Sequence, residues 1–203
     1  MKVVEIFSSI EGEGAFMGLS ALFIRFFGCN LRCAWCDTKE SYDDRTACEE
    51  LEVADIVRRA SERPSSLITI TGGEPFMQRD LLPLCEALLP LKRRIKVETN
   101  GTIFADLPRE IFFAVSPKPP NFRIDRRFSG RIGELKFVVD APLESKHILA
   151  YRDEIKRGAK VVLQIESSKK ESLKKALLIQ RELLSARLEA AVLPQLHKIF
   201  ALP

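Results

Sequence analysis

The run Ala21-Leu22-Phe23-Ile24-Arg25-Phe26-Phe27-Gly28-Cys29-Asn30-Leu31-Arg32-Cys33-Ala34-Trp35-Cys36 decides the fold. Its first seven residues are branched or aromatic enough to read as a strand. Gly28 ends that strand, and three cysteines follow at C-x3-C-x2-C spacing. Thiolates placed there project from a loop at the carboxyl end of a parallel strand, where barrel-like α/β folds keep their active sites. Iron-sulfur clusters are held by Cys thiolates, and a 4Fe-4S cubane held by three cysteines keeps one iron open. An open position is what a catalytic metal site needs. The alternative is a zinc site, which would want a fourth Cys or His nearby, and the only histidines are His147 and His197. Cys48 and Cys85 flank or lie on helical segments and read as small core or surface residues.

Working outward, strand patterns recur at 67–71, 94–98, 111–115, 134–139, 160–165 and 188–193, with a short N-terminal strand at 2–6 expected to add an edge. Helical periodicity marks 49–60, 80–88, 143–157 and 169–186. Alternating strands and helices predict an α/β domain with a mainly parallel sheet. Several connections are too short for full helices, so the expectation is an incomplete, open (β/α) barrel with few crossover helices, built as a single domain over 1–203. The proline-containing stretch 116–131 is the candidate mobile loop.

The 203 residues are 46% hydrophobic, enough for a sizeable core, and carry a formal charge of +4 from 32 basic and 28 acidic residues. That surplus is spread along the chain, whereas nucleic-acid binders usually gather their basic residues on a stripe. Neither a signal-peptide pattern nor a membrane-length apolar run is present. The expectation is a cytoplasmic protein, where clustered thiols bind metal more often than they pair as disulfides.

A second motif, Thr71-Gly72-Gly73-Glu74-Pro75, follows the strand at 67–71. Glycines there let a ligand approach the backbone and its free N–H and C=O groups. With the cysteine cradle upstream, the chain resembles the radical S-adenosylmethionine superfamily. The resemblance implies that Cys29, Cys33 and Cys36 hold a 4Fe-4S cluster and that the turn at Gly73 contacts the methionine amino group of S-adenosyl-L-methionine.

Further segments narrow the resemblance. Glu5-Ile6-Phe7-Ser8-Ser9-Ile10-Glu11-Gly12-Glu13-Gly14, Cys36-Asp37-Thr38, Glu98-Thr99-Asn100-Gly101-Thr102, Ser116-Pro117-Lys118, Glu134-Leu135-Lys136-Phe137-Val138-Val139 and Pro194-Gln195-Leu196-His197-Lys198 occur in this order. Together they resemble the 7-carboxy-7-deazaguanine synthases of queuosine and deazapurine biosynthesis, with Glu11 where many members carry Gln. What this implies is a carbon-nitrogen lyase reaction, contraction of 6-carboxy-5,6,7,8-tetrahydropterin to 7-carboxy-7-deazaguanine with loss of ammonia. A 5′-deoxyadenosyl radical takes and returns the hydrogen on C6, so S-adenosyl-L-methionine is reused. The resemblance also implies Mg²⁺ at Thr38, cofactor contacts from Trp35, Asp37, Ser116, Pro117, Lys118 and Gln164, a flavodoxin or ferredoxin reductant, and a homodimer.

For the substrate, a flat heterocycle with a carboxylate wants a cation at one end and acceptors at its guanidine-like edge. Arg25, inside the first strand, suits the carboxylate; the alternative is a structural ion pair. Glu13, between two glycines, suits the N–H edge, or is a solvated turn residue. Ile10, Glu11 and Gly12 precede it in the same segment and are expected to line the substrate, with Thr71 and His197. His147 reads as solvated surface. The apolar end Ile199-Phe200-Ala201-Leu202-Pro203 is expected to tuck in and bring the Pro203 carboxylate to the same edge, or merely to cap the barrel. Rival readings are a glycyl-radical activating enzyme and a metal-bearing RNA-binding module.

Overall fold

The computed structural model describes residues 1–140, 142–166 and 169–203. Its contacts divide the chain into two compact units, the first comprising Met1–Ser9, Leu19–Thr99 and Ile103–Phe112, the second Ile10–Gly18, Asn100–Thr102 and Phe113–Pro203.

The first unit carries β1 (Lys2–Ile10), β2 (Ser20–Phe26), β3 (Glu49–Glu50), α1 (Val53–Ser61), β4 (Leu67–Gly72), α2 (Leu81–Leu88) and β5 (Arg94–Thr99), in the strand order β3-β1-β2-β4-β5. β2, β4 and β5 run parallel, with Arg25 beside Thr71 and Ile70 beside Val97. Parallel strands covered on both faces read as continuous apolar runs. Leu67, Ile68 and Ile70 of β4 are accordingly fully buried, as are Ile56 and Ala60 of α1 and Leu84 and Leu88 of α2. Burying one such large side chain contributes about 1.5–3 kcal/mol.

The second unit carries β6 (Ile111–Val115), β7 (Ile132–Val138), α3 (Ser145–Leu149), α4 (Arg152–Lys156), β8 (Lys160–Gln164), α5 (Lys170–Ser185), β9 (Ala191–Leu193) and α6 (Leu196–Phe200), its four strands in sequence order and parallel. α5 buries Ser172, Ala176, Ile179 and Leu183, one stripe at helical spacing. Among the described residues β3 and β9 each have a single neighbouring strand. Among the described residues α1, α2, the α3/α4 pair and α5 serve as crossover helices, the α/β architecture with few such helices that the sequence predicts.

Four local expectations need correction. β1 runs on to Ile10 and is not an edge, because the two-residue β3 pairs antiparallel with Lys2 and Val3 outside it. Glu49 and Glu50 form that strand instead of starting a helix. The helix expected at 143–157 is two short ones, with Tyr151 as the non-helical cap of the second. The stretch 116–131 is pinned by Phe122 and Phe128, at 3% and 0% exposure, by the stacking of Phe128 edge-on to Phe113, and by Asp125 N–H bonding Gly101 O at 2.8 Å.

Candidate functional site

In the first unit, β2 delivers the chain into the cysteine cradle, and all three thiols are half-buried. The turn after β4 lies directly against it. A Cβ on Gly73 would sit 1.9 Å from Gly28 O and 2.9 Å from Cys29 N, closer than any side chain can come. That approach lets Glu74 N–H bond Gly28 O at 2.8 Å and Gly73 N–H bond Phe26 O at 3.1 Å. Arg32 Nη1 donates to Cys29 O and Leu31 O at 2.7 and 2.9 Å while its guanidinium lies over the Tyr42 ring. Burial pushes the Cys29 thiol up; the Leu31 N–H, 3.4 Å from its sulfur, pulls it down, and Glu74, Cys33 and Cys36 push it up again. Three thiols gathered beside the Glu74 carboxylate fit a cationic iron-sulfur centre, whose binding deprotonates its thiol ligands.

Arg25 is not aimed at open space. Its Nε donates to Glu5 Oε1 at 2.7 Å, its Nη1 donates to Thr38 Oγ1 at 3.1 Å, and its guanidinium lies over the Phe7 ring, which stacks on Phe23. The structural ion pair given as the alternative is therefore present, and with the Thr38 contact it takes two of the five donors of the guanidinium. The Thr38 hydroxyl in turn donates to Asp37 Oδ1 at 3.3 Å. Trp35 is half-buried and Asp37 exposed. Thr71 donates its hydroxyl to Glu98 Oε2 at 2.8 Å, and Glu98 Oε1 also holds the fully buried Lys96 at 3.0 Å. An acceptor at that strand end is thus Glu98, which the sequence reading assigned no role.

In the second unit the segment from Ile10 to Gly18 folds as a tight loop. Ile10 is exposed, whereas Glu11 is 2% exposed and organises the loop, its Oε1 accepting from Glu13 N–H and its carbonyl from Gly18 N–H. Glu13 is no solvated turn residue. Its Oε2 lies 2.7 Å from Lys136 Nζ and its Oε1 2.8 Å from Gln195 Nε2. Gly14, at φ +70°, lies so close to the buried Glu134 carboxylate that a Cβ would stand 2.4 Å from Oε1, while Ala15 N–H donates to Oε2. Gly12 O accepts from Leu196 N–H at 3.0 Å, which brings α6 and the half-buried His197 onto the loop. Lys136, Glu134 and Gln195 had no role in the sequence reading, although two of them stand at alternate positions of one strand.

Ser116 and Pro117 are buried at the end of β6, and Lys118 Nζ donates to Ser116 Oγ at 2.7 Å. Gln164, 1% exposed at the end of β8, donates to Leu193 O, and its buried Oε1 has no hydrogen-bond partner among the described residues, which leaves an acceptor for the cofactor contact the resemblance implies. His147 is not free surface: it stacks on Phe122 and its Nδ1 accepts from Glu144 N–H in a capping box. The apolar tail does not tuck in as expected. Leu202 N–H turns back to His197 O, yet Ile199 and Phe200 are 51% and 66% exposed and Pro203 is exposed.

Among the described residues no helix is long and apolar enough to cross a membrane. Residues 23–140 match the Radical SAM superfamily. The chain is 39% identical to the 7-carboxy-7-deazaguanine synthase of Aquifex aeolicus (strain VF5), over 98% of this chain and 92% of the relative. It is 32% identical to the enzyme of that name from Thermoplasma acidophilum, over 98% and 96%. The crystal structure of QueE from Escherichia coli shares the fold, with a TM-score of 0.75 at 24% identity over 94% of this chain and 92% of that one. Streptococcus suis SuiB bound to S-adenosylmethionine shares it more distantly, with a TM-score of 0.59 at 16% identity over 85% and 46%. On the strength of the near full-length matches, the chain belongs to the 7-carboxy-7-deazaguanine synthase family of the radical S-adenosylmethionine superfamily.

Proposed function

We propose that the chain converts 6-carboxy-5,6,7,8-tetrahydropterin to 7-carboxy-7-deazaguanine and ammonia, acting as a single radical S-adenosylmethionine domain. The observation that carries this reading is the three-cysteine cradle seated on the Gly72-Gly73 turn, in a chain matched almost end to end by synthases of that name. When bound, the 4Fe-4S cluster and S-adenosyl-L-methionine supply the hydrogen-abstracting chemistry. Cys29, Cys33 and Cys36 would hold the cluster, and Gly73, Trp35 and Asp37 of the same unit would bind the cofactor; for Ser116, Pro117, Lys118 and Gln164 a cofactor contact is what the family resemblance implies. Arg25 would offer its remaining donors to the substrate carboxylate, supported by its half-buried strand position. Glu13 would accept from the pterin N–H edge, with His197 beside the same loop. Mg²⁺ would sit at Thr38, a flavodoxin or ferredoxin would supply electrons, and the enzyme would work as a cytoplasmic homodimer that binds no nucleic acid.

The test is anaerobic incubation of the reconstituted protein with the pterin, S-adenosyl-L-methionine, dithionite and Mg²⁺. Deazaguanine product should exceed 5′-deoxyadenosine by many turnovers. Cofactor cleavage without any ring-contracted product overturns the reading, and 5′-deoxyadenosine forming one for one with product overturns reuse of the cofactor.

A further inference from the structure

The loop that carries Glu13 is organised locally by Glu11 and anchored by groups from distant parts of the second unit. Lys136 comes from the middle of β7 with its side chain 9% exposed, and it sits 2.7 Å from a Glu13 carboxylate that is itself only 16% exposed. A buried lysine is rare without a partner, and a carboxylate so shielded would be costly without one. Gln195 takes the other oxygen. An ionised carboxylate has about four lone-pair sites, so these two donors fix the plane of the group and leave sites open for a pair of ligand N–H donors.

We infer that Lys136 is a positioning residue that keeps the Glu13 carboxylate aimed, and thereby sets the preference for a ligand with a donor-rich, guanidine-like edge. This rests on the functional reading above, and on Glu13 as the ligand's acceptor. A carboxylate held at both oxygens presents its remaining lone pairs in one fixed plane. Replacing the ammonium by an apolar chain of similar length removes the donor that holds Glu13 Oε2 in place. Glu13 then swings out of that orientation, and the acceptor for the ligand is lost. Because that contact is made with substrate before and during reaction alike, its loss is felt as uniform binding.

The experiment compares the parent with Lys136→Met, Lys136→Arg, Glu13→Gln and the Glu13→Gln/Lys136→Met double variant, each reconstituted and assayed for ring contraction across pterin concentrations. Lys136→Met should raise KM about ten-fold or more and leave kcat within about three-fold. Lys136→Arg, which restores the cation, should return KM to within about three-fold of the parent. On the Glu13→Gln background, Lys136→Met should add almost nothing, because its effect passes through the carboxylate. An unchanged KM in Lys136→Met, or an equal loss with and without the Glu13 carboxylate, overturns the inference while leaving the functional reading intact. A parent that makes no product from the pterin overturns both.

Discussion

Substituting Gly73 by Ala adds one carbon where the chain has no room. The ideal Cβ lies 1.9 Å from Gly28 O, 2.4 Å from Gly28 C and 2.9 Å from Cys29 N, and contacts under 3.0 Å essentially never occur. All three atoms are backbone, so no side chain can rotate away. Relief requires the turn after β4 and the start of the cysteine loop to part by on the order of 1 Å, which stretches the 2.8 Å Glu74 N–H to Gly28 O bond beyond hydrogen-bonding range. Overpacking of this kind costs about 1–3 kcal/mol, and each lost hydrogen bond about 1 kcal/mol. The sum is about 2–4 kcal/mol, which for a chain of this size lowers Tm by roughly 5–15 °C. Thermal unfolding of the cluster-free protein reads the steric cost alone, and iron content after anaerobic reconstitution reads the displacement of Cys29. A Gly73→Ala protein that melts within about 2 °C of the parent and binds the full complement of iron would show that the cradle does not depend on this contact.

Three other outcomes are expected. Cys29→Ala, Cys33→Ala and Cys36→Ala should each abolish cofactor cleavage, whereas Cys48→Ala and Cys85→Ala should keep the cluster; an iron-loaded, active Cys33→Ala protein would refute the ligand assignment. Burial pushes the Cys85 thiol up to about 12, with Glu86 adding to the shift. The unfolded thiol ionises near 9 and the folded one does not, so the stability owed to this group is intact below pH 9 and falls as pH rises toward 12, by up to about 4 kcal/mol. Alkylation at pH 8 should then mark the exposed Cys48 first and reach Cys85 only on unfolding, and denaturant melts of the parent and Cys85→Ala should diverge in slope above pH 9. Finally, Arg25→Ala should raise KM for the pterin by about ten-fold or more, and Glu5→Gln much less; the reverse order would make the Glu5 ion pair, and not substrate binding, the purpose of Arg25.

What the sequence made legible follows from where each signal resides. β4, β6 and β8 match their expected bounds to within a residue because buried parallel strands are continuous runs of branched residues, a signal held within the run itself. β1 was underestimated because Ser8 and Ser9 interrupt its apolar pattern, although Phe7 is committed to stacking on Phe23. β3 could not be read at all. A two-residue strand has no period, and Glu49 and Glu50 are extended only because Lys2 and Val3 lie alongside. The cysteine cradle was legible because its spacing is local. The partners of Glu13 were not, since Lys136 and Gln195 stand 123 and 182 residues away from it.

There was nevertheless a signal for them, of a kind that spacing motifs do not carry. A central parallel strand is covered on both faces, so every side chain along it must be apolar or answered by a partner. β7 reads Ile-Gly-Glu-Leu-Lys-Phe-Val and β5 Arg-Ile-Lys-Val-Glu-Thr, each with a lysine and a glutamate two residues apart, hence on one face. In β5 the pair closes on itself, with Lys96 Nζ 3.0 Å from Glu98 Oε1, and Glu98 then reaches Thr71. In β7, Lys136 and Glu134 both turn to one loop, the ammonium to the Glu13 carboxylate and the carboxylate to the Ala15 N–H. Charged residues on a buried strand face weaken the core they interrupt, since their desolvation is offset only by well-placed partners. Strands that carry them in place of valine or leucine therefore mark where the fold gives up packing to hold polar groups in position, and in the second unit β7 leads in this way to Glu13, on which substrate recognition is proposed to depend.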